Sequence, residues 1–183
     1  NKKSYNKHQK CRRVEMITRL TKDHILSINK NFIEQGWESR EKVLNNYFYE
    51  QQVGKRIVLV YEENNEVMGY ITLIKKPISG PFSLINIPEI VDFNVFEKYQ
   101  NKGIGQKLLD EIICLAKKTS EFVGIGVGLH SGYGKAQRMY IKNGFIPDGK
   151  GVYYEGKILT PYTICKNDDN LALYFIKNIG TNA

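Results

Sequence analysis

The spacing of apolar residues changes period repeatedly along this chain, and each change marks an element. Residues 13–20, "RVEMITRL", read as a strand, and 20–36, "LTKDHILSINKNFIEQG", carry helical spacing with Thr21 placed to cap it. A second helix is predicted over 39–54, "SREKVLNNYFYEQQVG", with Ser39 as N-cap and Gly54 as stop. Lys42 stands where a full capping box would place an acid or amide. In "KRIVLVYEENNEVMGYITLIKK" two apolar runs flank "EENNE", a hairpin signal. The loop "PISGPFSLINIP" leads to a strand over 89–96, "EIVDFNVF". From Gly103 onward Ile104, Leu108, Ile112 and Leu115 fall on one helical face. A strand "EFVGIGVGLH", a short helix "GYGKAQRMYIKNG" stopped at Gly144, a strand "GVYYEGKIL" and a last strand "NLALYFIK" complete the order β-α-α-β-β-β-α-β-α-β-β. That order predicts a mixed α/β (α+β) domain on one sheet.

Composition sets boundaries. With 183 residues, 42% hydrophobic and 25% charged, the chain suits one soluble domain. Its formal net charge of +8 is unevenly placed: Lys2, Lys3, Lys7, Lys10, Arg12 and Arg13, with no acid among them, supply six of the eight charges. Residues 1–12 are read as a basic tail, disordered by composition, ahead of a domain over 13–183. Charge held in a tail rather than across the body argues against a nucleic-acid partner. Cys11, Cys114 and Cys165 are odd in number and far apart, with no CxxC pair or His/Cys cluster, so reduced thiols in a cytoplasmic protein and no metal are expected. No apolar run approaches the ~20 residues needed to cross a bilayer, so no membrane partner is expected.

The chemistry begins at "FEKYQNKGIGQKLLDEI". A loop whose amides converge ahead of a helix is an anion site, because first-turn N–H groups are unpaired and the dipole is positive there. Gly103 and Gly105 permit close approach, while Gln100, Asn101 and Lys102 add polar reach. A diphosphate is the fitting guest; a plain Gly-containing helix start is the alternative. Two rival phosphate motifs fail. "GLHSGYGKA" has five residues between Gly128 and Gly134, and Ala136 where a P-loop needs a hydroxyl. Gly103-Ile104-Gly105 is followed by Gln106, Lys107 and Leu108, which breaks the dinucleotide fingerprint.

"VFEKYQNKGIGQKLLDEI" resembles the CoA-binding signature of the GNAT N-acetyltransferase superfamily, Gln/Arg-x-x-Gly-x-Gly/Ala, and "AQRMYIKNGF" resembles the family's Ala-x-x-x-Tyr-x-x-x-Gly-Phe segment through Ala136, Tyr140, Gly144 and Phe145. The resemblance spans roughly 13–177. "GFIPDGKGVYYEGK" followed by "NDDNLALYFIK" is similar to a bacterial branch that names no substrate. It implies a single, mostly antiparallel sheet flanked by helices, and an acyltransferase that moves acetyl from acetyl-CoA to a small-molecule or peptide amine, as a monomer or homodimer. In the family two central strands splay and the pantetheine arm pairs with strand backbone; here that implies Phe93, Asn94 and Val95, with the diphosphate on Gln100, Asn101, Lys102, Gly103, Ile104 and Gly105, and Ala136 beside the cofactor. Many relatives carry Asn where this chain has Tyr133, which puts that contact in doubt.

The same resemblance makes Tyr140 the acid that protonates the leaving thiolate and Glu89 the base that deprotonates the amine. Each has a plainer reading, Tyr140 as a core tyrosine and Glu89 as a solvated strand end. Asp92 and His130 are rivals for the base, although odd spacing sets Asp92 on the opposite strand face from Glu89. Arg138 or Lys135 could meet a CoA phosphate or be solvated. Trp37 and "NYFYE" could line an acceptor cleft or pack the core, and Asp148, Asp168 and Asp169 could attract an amine. Gly124, Gly126 and Gly128 bare one face of their strand, for a ligand or for close packing. Cys114 reads as a buried structural thiol. Two other classes stay open: a CoA-binding sensor without transfer, and a basic nucleic-acid binder whose affinity would depend on the tail.

Overall fold

A computed structural model of the chain describes residues 16–180, so the basic tail predicted over 1–12 lies outside the described residues. The strands are β1 (Ile17–Arg19), β2 (Arg56–Glu63), β3 (Glu66–Ile74), β4 (Glu89–Val95), β5 (Phe122–Gly128), β6 (Ile146–Pro147), β7 (Tyr153–Tyr154), β8 (Lys157–Ile158) and β9 (Leu171–Asn178). The helices are α1 (Lys22–Glu34), α2 (Glu41–Gln52), α3 (Ile104–Ala116) and α4 (Gly134–Lys142). One sheet holds the strands in the order β1-β2-β3-β4-β5-β9-β7-β8, with β6 added on β9. Only β4 and β5 pair in parallel, so the sheet is mixed and mostly antiparallel, as expected. No helix among the described residues is long and apolar enough to cross a membrane.

Local chemistry explains most boundaries. Thr21 caps α1 in a reciprocal box: His24 N–H donates to Thr21 Oγ1, and Thr21 N–H donates to His24 Nδ1. The N-cap of α2 is Arg40, not Ser39, and no side chain caps it. Ser39, one residue earlier, donates its hydroxyl to Asn29 Oδ1 at 3.0 Å and accepts from Glu41 N–H at 3.4 Å. The hairpin turns on Asn64 and Asn65, both left-handed at φ 51° and 62°, which suits a two-residue loop. "GVYYEGKIL" is not one strand. Glu155 and Gly156, at φ 49° and 75°, fold it into the small β7–β8 hairpin. The two-residue β6 was not predicted from the sequence.

The core lies where α3 packs Ile104, Leu108, Leu109, Ile112 and Ala116 onto the sheet. Cys114 is half-buried and disulfide-bonded, which corrects the reading of it as a thiol; Cys165 is free and exposed. The glycine row of β5 is filled by rings. A Cβ at Gly124 would lie 2.4 Å from the ring of Phe82, at Gly126 2.9 Å from that of Tyr174, and at Gly128 2.3 Å from that of Tyr133. These rings come from the β3–β4 connection, from β9 and from the turn before α4. Phe82 and Tyr174 also meet edge to face at 5.6 Å.

Gly124→Ala should therefore destabilise the fold by about 1–3 kcal/mol through overpacking. Pairing it with Phe82→Leu should recover part of that loss in chemical denaturation, because the clash is with a single ring.

Candidate active site

β5 is paired with β9 along its whole length, from Phe122↔Asn178 to Gly128↔Ala172. It meets β4 at two positions only, Glu89↔Gly124 and Ile90↔Ile125. Beyond Ile90 the two strands part, and residues 91–95 of β4 have no strand partner on the β5 side. Phe96 N–H donates to Met68 O. By alternation the backbone groups of Asn94 face β3, and those of Phe93 and Val95 face the gap. Val95 O there accepts from Gln100 Nε2 at 3.1 Å, and Gln100 Oε1 in turn accepts from Lys135 Nζ at 3.2 Å.

Register shows why Asp92 does not sit where strand parity would put it. Thr72 lies opposite Val91 and Tyr70 opposite Asn94, so Ile71 alone of β3 faces two residues of β4, Asp92 and Phe93. The extra residue is Asp92, held left-handed at φ 50°. Such a conformation costs a non-glycine residue about 1–2 kcal/mol, and the side chain offsets it. Asp92 Oδ1 accepts from Arg40 Nη1 at 2.9 Å, Tyr70 OH at 3.0 Å and Asn94 Nδ2 at 2.8 Å. Glu89 is opposite Ile74, on the face that Thr72 and Tyr70 share, so the bulge brings both carboxylates to one face. The expectation that they point apart is corrected.

The two carboxylates are held differently. Glu89 is 9% exposed and, unlike Asp92, no side chain donates to it among the described residues. Burial pushes its carboxyl up to about 7, against a weaker pull from the Arg56 guanidinium. Arg56 itself is occupied, donating to Glu50 and to Thr72 Oγ1 and lying 4.1 Å from the Tyr47 ring centroid. Tyr140, on α4, is 5% exposed; burial raises its phenol well above the usual range, with a smaller push from Tyr133. Tyr140 therefore stays protonated at neutral pH.

The loop before α3 has the geometry of an anion cradle. Asn101 and Gly103 are left-handed, at φ 62° and 76°, and Gly103 caps the helix without a side chain. The first helical bond is Lys107 N–H to Gly103 O, so the amides from Asn101 to Gly105 have no helical acceptor. A Cβ at Gly105 would rest 3.6 Å from Phe93, Val95 and Met139, which seats the cradle on the end of β4. This arrangement fits a diphosphate with its tail in the gap. Gln100 is turned back onto β4, Asn94 belongs to the Asp92 cluster, and Ala136 is half-buried against the core.

The remaining candidates are mostly engaged. His130 Nδ1 accepts from Gly132 N–H, so Nε2 carries the proton and donates to Asp169 Oδ1 at 2.9 Å. Tyr133 OH donates to the same oxygen. Asp148 and Asp168 accept from Tyr153 and Tyr154 and brace turns. Trp37 is half-exposed and stacks 5.5 Å from Phe32; Tyr47 is half-buried, with burial and the Asp92 charge pushing its phenol up to about 12. Among the described residues no three His, Cys, Asp or Glu gather as a metal site. A depression of about 490 Å³ lined by Arg19, Lys22, Arg56 and Lys75 shares no residue with β4 or β5. Arg40, Tyr70, Phe82 and Tyr174 were missed in sequence; only the bare glycine row hinted at partners for the last two.

A family model described as an acetyltransferase (GNAT) domain matches residues 54–147. No curated protein matches the chain in sequence. Among solved structures, an N-acetyltransferase from Staphylococcus aureus Mu50 is 19% identical at a TM-score of 0.66, covering 90% of this chain and 98% of its own. The yncA protein of Salmonella typhimurium, solved with its cofactor acetyl-CoA, is 18% identical at 0.65, covering 91% and 95%. A Salmonella typhimurium acetyl transferase that modifies the N-terminal serine of ribosomal protein L7/L12 is 11% identical at 0.66, covering 88% and 93%. At these identities the likeness establishes the fold alone.

The raised Glu89 carboxyl has a consequence for stability. Its folded value lies above the unfolded one, so the stability it lends is present at low pH and is lost as pH rises from about 4.5 to about 7. The full difference is on the order of 3 kcal/mol. Glu89→Gln should abolish that fall and leave the protein more stable than wild type at pH 8 in urea titrations.

Proposed function

Because this chain belongs to the GNAT acetyltransferase family, we propose that it transfers acetyl from acetyl-CoA to a primary amine by direct attack in a ternary complex. The observation that carries this reading is a mostly buried carboxylate on β4, with no hydrogen-bond donor among the described residues, where the strand leaves β5 for an anion cradle. Acetyl-CoA supplies the acyl group as a thioester. Amides from Asn101 to Gly105 would hold its diphosphate, and gap-facing backbone of Phe93 and Val95 would pair with its arm.

Glu89 takes the proton that the substrate ammonium must lose before its nitrogen can attack. An alkylammonium titrates near ~10.4, so raising the carboxyl to about 7 narrows the mismatch from roughly six pH units to roughly three. Asp92 is less suited, because one oxygen already accepts three donors and Arg40 neutralises its charge. His130 is less suited as well, since both ring nitrogens are engaged. As the C–N bond forms and the C–S bond breaks, Tyr140 donates its phenolic proton to the departing sulfur. The acceptor is a small-molecule or peptide amine; one structural neighbour modifies a protein's N-terminal serine.

An amine panel with acetyl-CoA, read by free-thiol release, tests the reading; no turnover on any amine would leave only a CoA-binding role. With an accepted amine, kcat/KM should fall as pH drops through about 7. Glu89→Gln should flatten that limb and lower kcat by about 10²–10⁴. Tyr140→Phe should lower kcat by at least about tenfold while calorimetric CoA affinity stays within about threefold. Equal losses in both would count against the acid role.

A further inference from the structure

We propose that Arg40 is a positioning residue for the donor-binding strand: by clamping Asp92 in the β4 bulge it sets which backbone groups face the gap. The proposal rests on the acetyl-CoA reading above. Arg40 is fixed at both ends. Its N–H donates to Asn29 Oδ1 at 2.9 Å, and Nη1 donates to Asp92 Oδ1 at 2.9 Å and Tyr70 OH at 3.2 Å. Between them the guanidinium lies 5.5 Å from the Phe32 ring centroid. The residue thus reaches from the α1–α2 connection, across β3, to one point on β4.

That point decides the strand's orientation. Side chains and backbone groups alternate with period two, so the one extra residue at Asp92 reverses every assignment beyond it. With the bulge in place, Phe93 and Val95 turn their amides and carbonyls to the gap. Without it, their turn passes to the neighbouring residues. Nothing in the local sequence compels the bulge, since Asp92 is not glycine and is left-handed at φ 50°. Its side chain is held there by Arg40, Tyr70 and Asn94, while Tyr47 and Tyr133 approach closely enough to sense its charge. Of these groups only Arg40 brings a full positive charge to a carboxylate that is 11% exposed.

A purely structural role would show as lost stability; a positioning role shows as lost donor affinity and loosened β4 amides in a folded protein. The core members of α1 and α2 other than Phe32, namely Ile25, Ile28 and Leu44, are apolar, and at Phe32, where the guanidinium meets the ring, Arg40→Met keeps an apolar side chain. Calorimetry with CoA, on the full chain, is therefore run beside amide hydrogen exchange and thermal melting. Arg40→Met should weaken CoA about tenfold or more and speed exchange at Phe93 and Val95, leaving β2–β3 protection unchanged. Arg40→Lys, which keeps charge and one donor, should recover most of the affinity. Adding Asp92→Asn to Arg40→Met should cost little more, because both remove one interaction. If wild type binds CoA and Arg40→Met binds it within about twofold, the positioning role is overturned while the family reading stands. If wild type takes up no CoA, both fail. Should Arg40→Met not fold, Asp92→Asn alone decides: unchanged affinity and exchange overturn the proposal.

Discussion

Two backbone pairings, Glu89 with Gly124 and Ile90 with Ile125, are all that join β4 to β5. Everything the site can do follows from how soon that contact ends. A sheet that continued its ladder would have spent the backbone groups of Phe93 and Val95 on each other's neighbours. Because β5 stays with β9 instead, an edge is exposed in the interior of the sheet rather than at its rim. Its open end meets the N-terminus of α3, where unpaired amides and the helix dipole favour an anion. A strand edge without a strand partner beside an electropositive helix start is the arrangement on which the proposed donor site rests.

The same strand carries two carboxylates whose surroundings drive them apart in character. Asp92 accepts three donors on one oxygen and is paired with Arg40, so it is committed to holding the bulge. Glu89 is buried with no donor among the described residues, so it holds its proton more tightly than an ordinary carboxyl, up to about pH 7. Environment rather than residue type assigns the roles. The separation also has a stability cost, since ionising Glu89 works against folding.

Much of this was legible in the sequence, for identifiable reasons. The apolar periods of α3 and the central strands, the Thr21 cap and the asparagine turn are local signals, and the structure keeps them. The glycine-bearing loop ahead of α3 was legible because glycine spacing and helix start coincide within a few residues. What failed was non-local. The start of α2 fell one residue beyond Ser39, at Arg40, whose N–H donates to Asn29 eleven residues away. Odd spacing between Glu89 and Asp92 implied opposite faces, but the clamp from Arg40, more than fifty residues upstream, stabilises a bulge that resets the count. No window of sequence around β4 contains that information.

The row of bare positions on β5 has a wider consequence. Gly124, Gly126 and Gly128 contribute no shape of their own, so the wall over that strand is written by Phe82, Tyr174 and Tyr133, each from a separate segment. The packing over β5 can thus be altered one ring at a time while the backbone pairing of that strand with β9 stays in place. The surface that covers β5 is therefore encoded away from β5 itself.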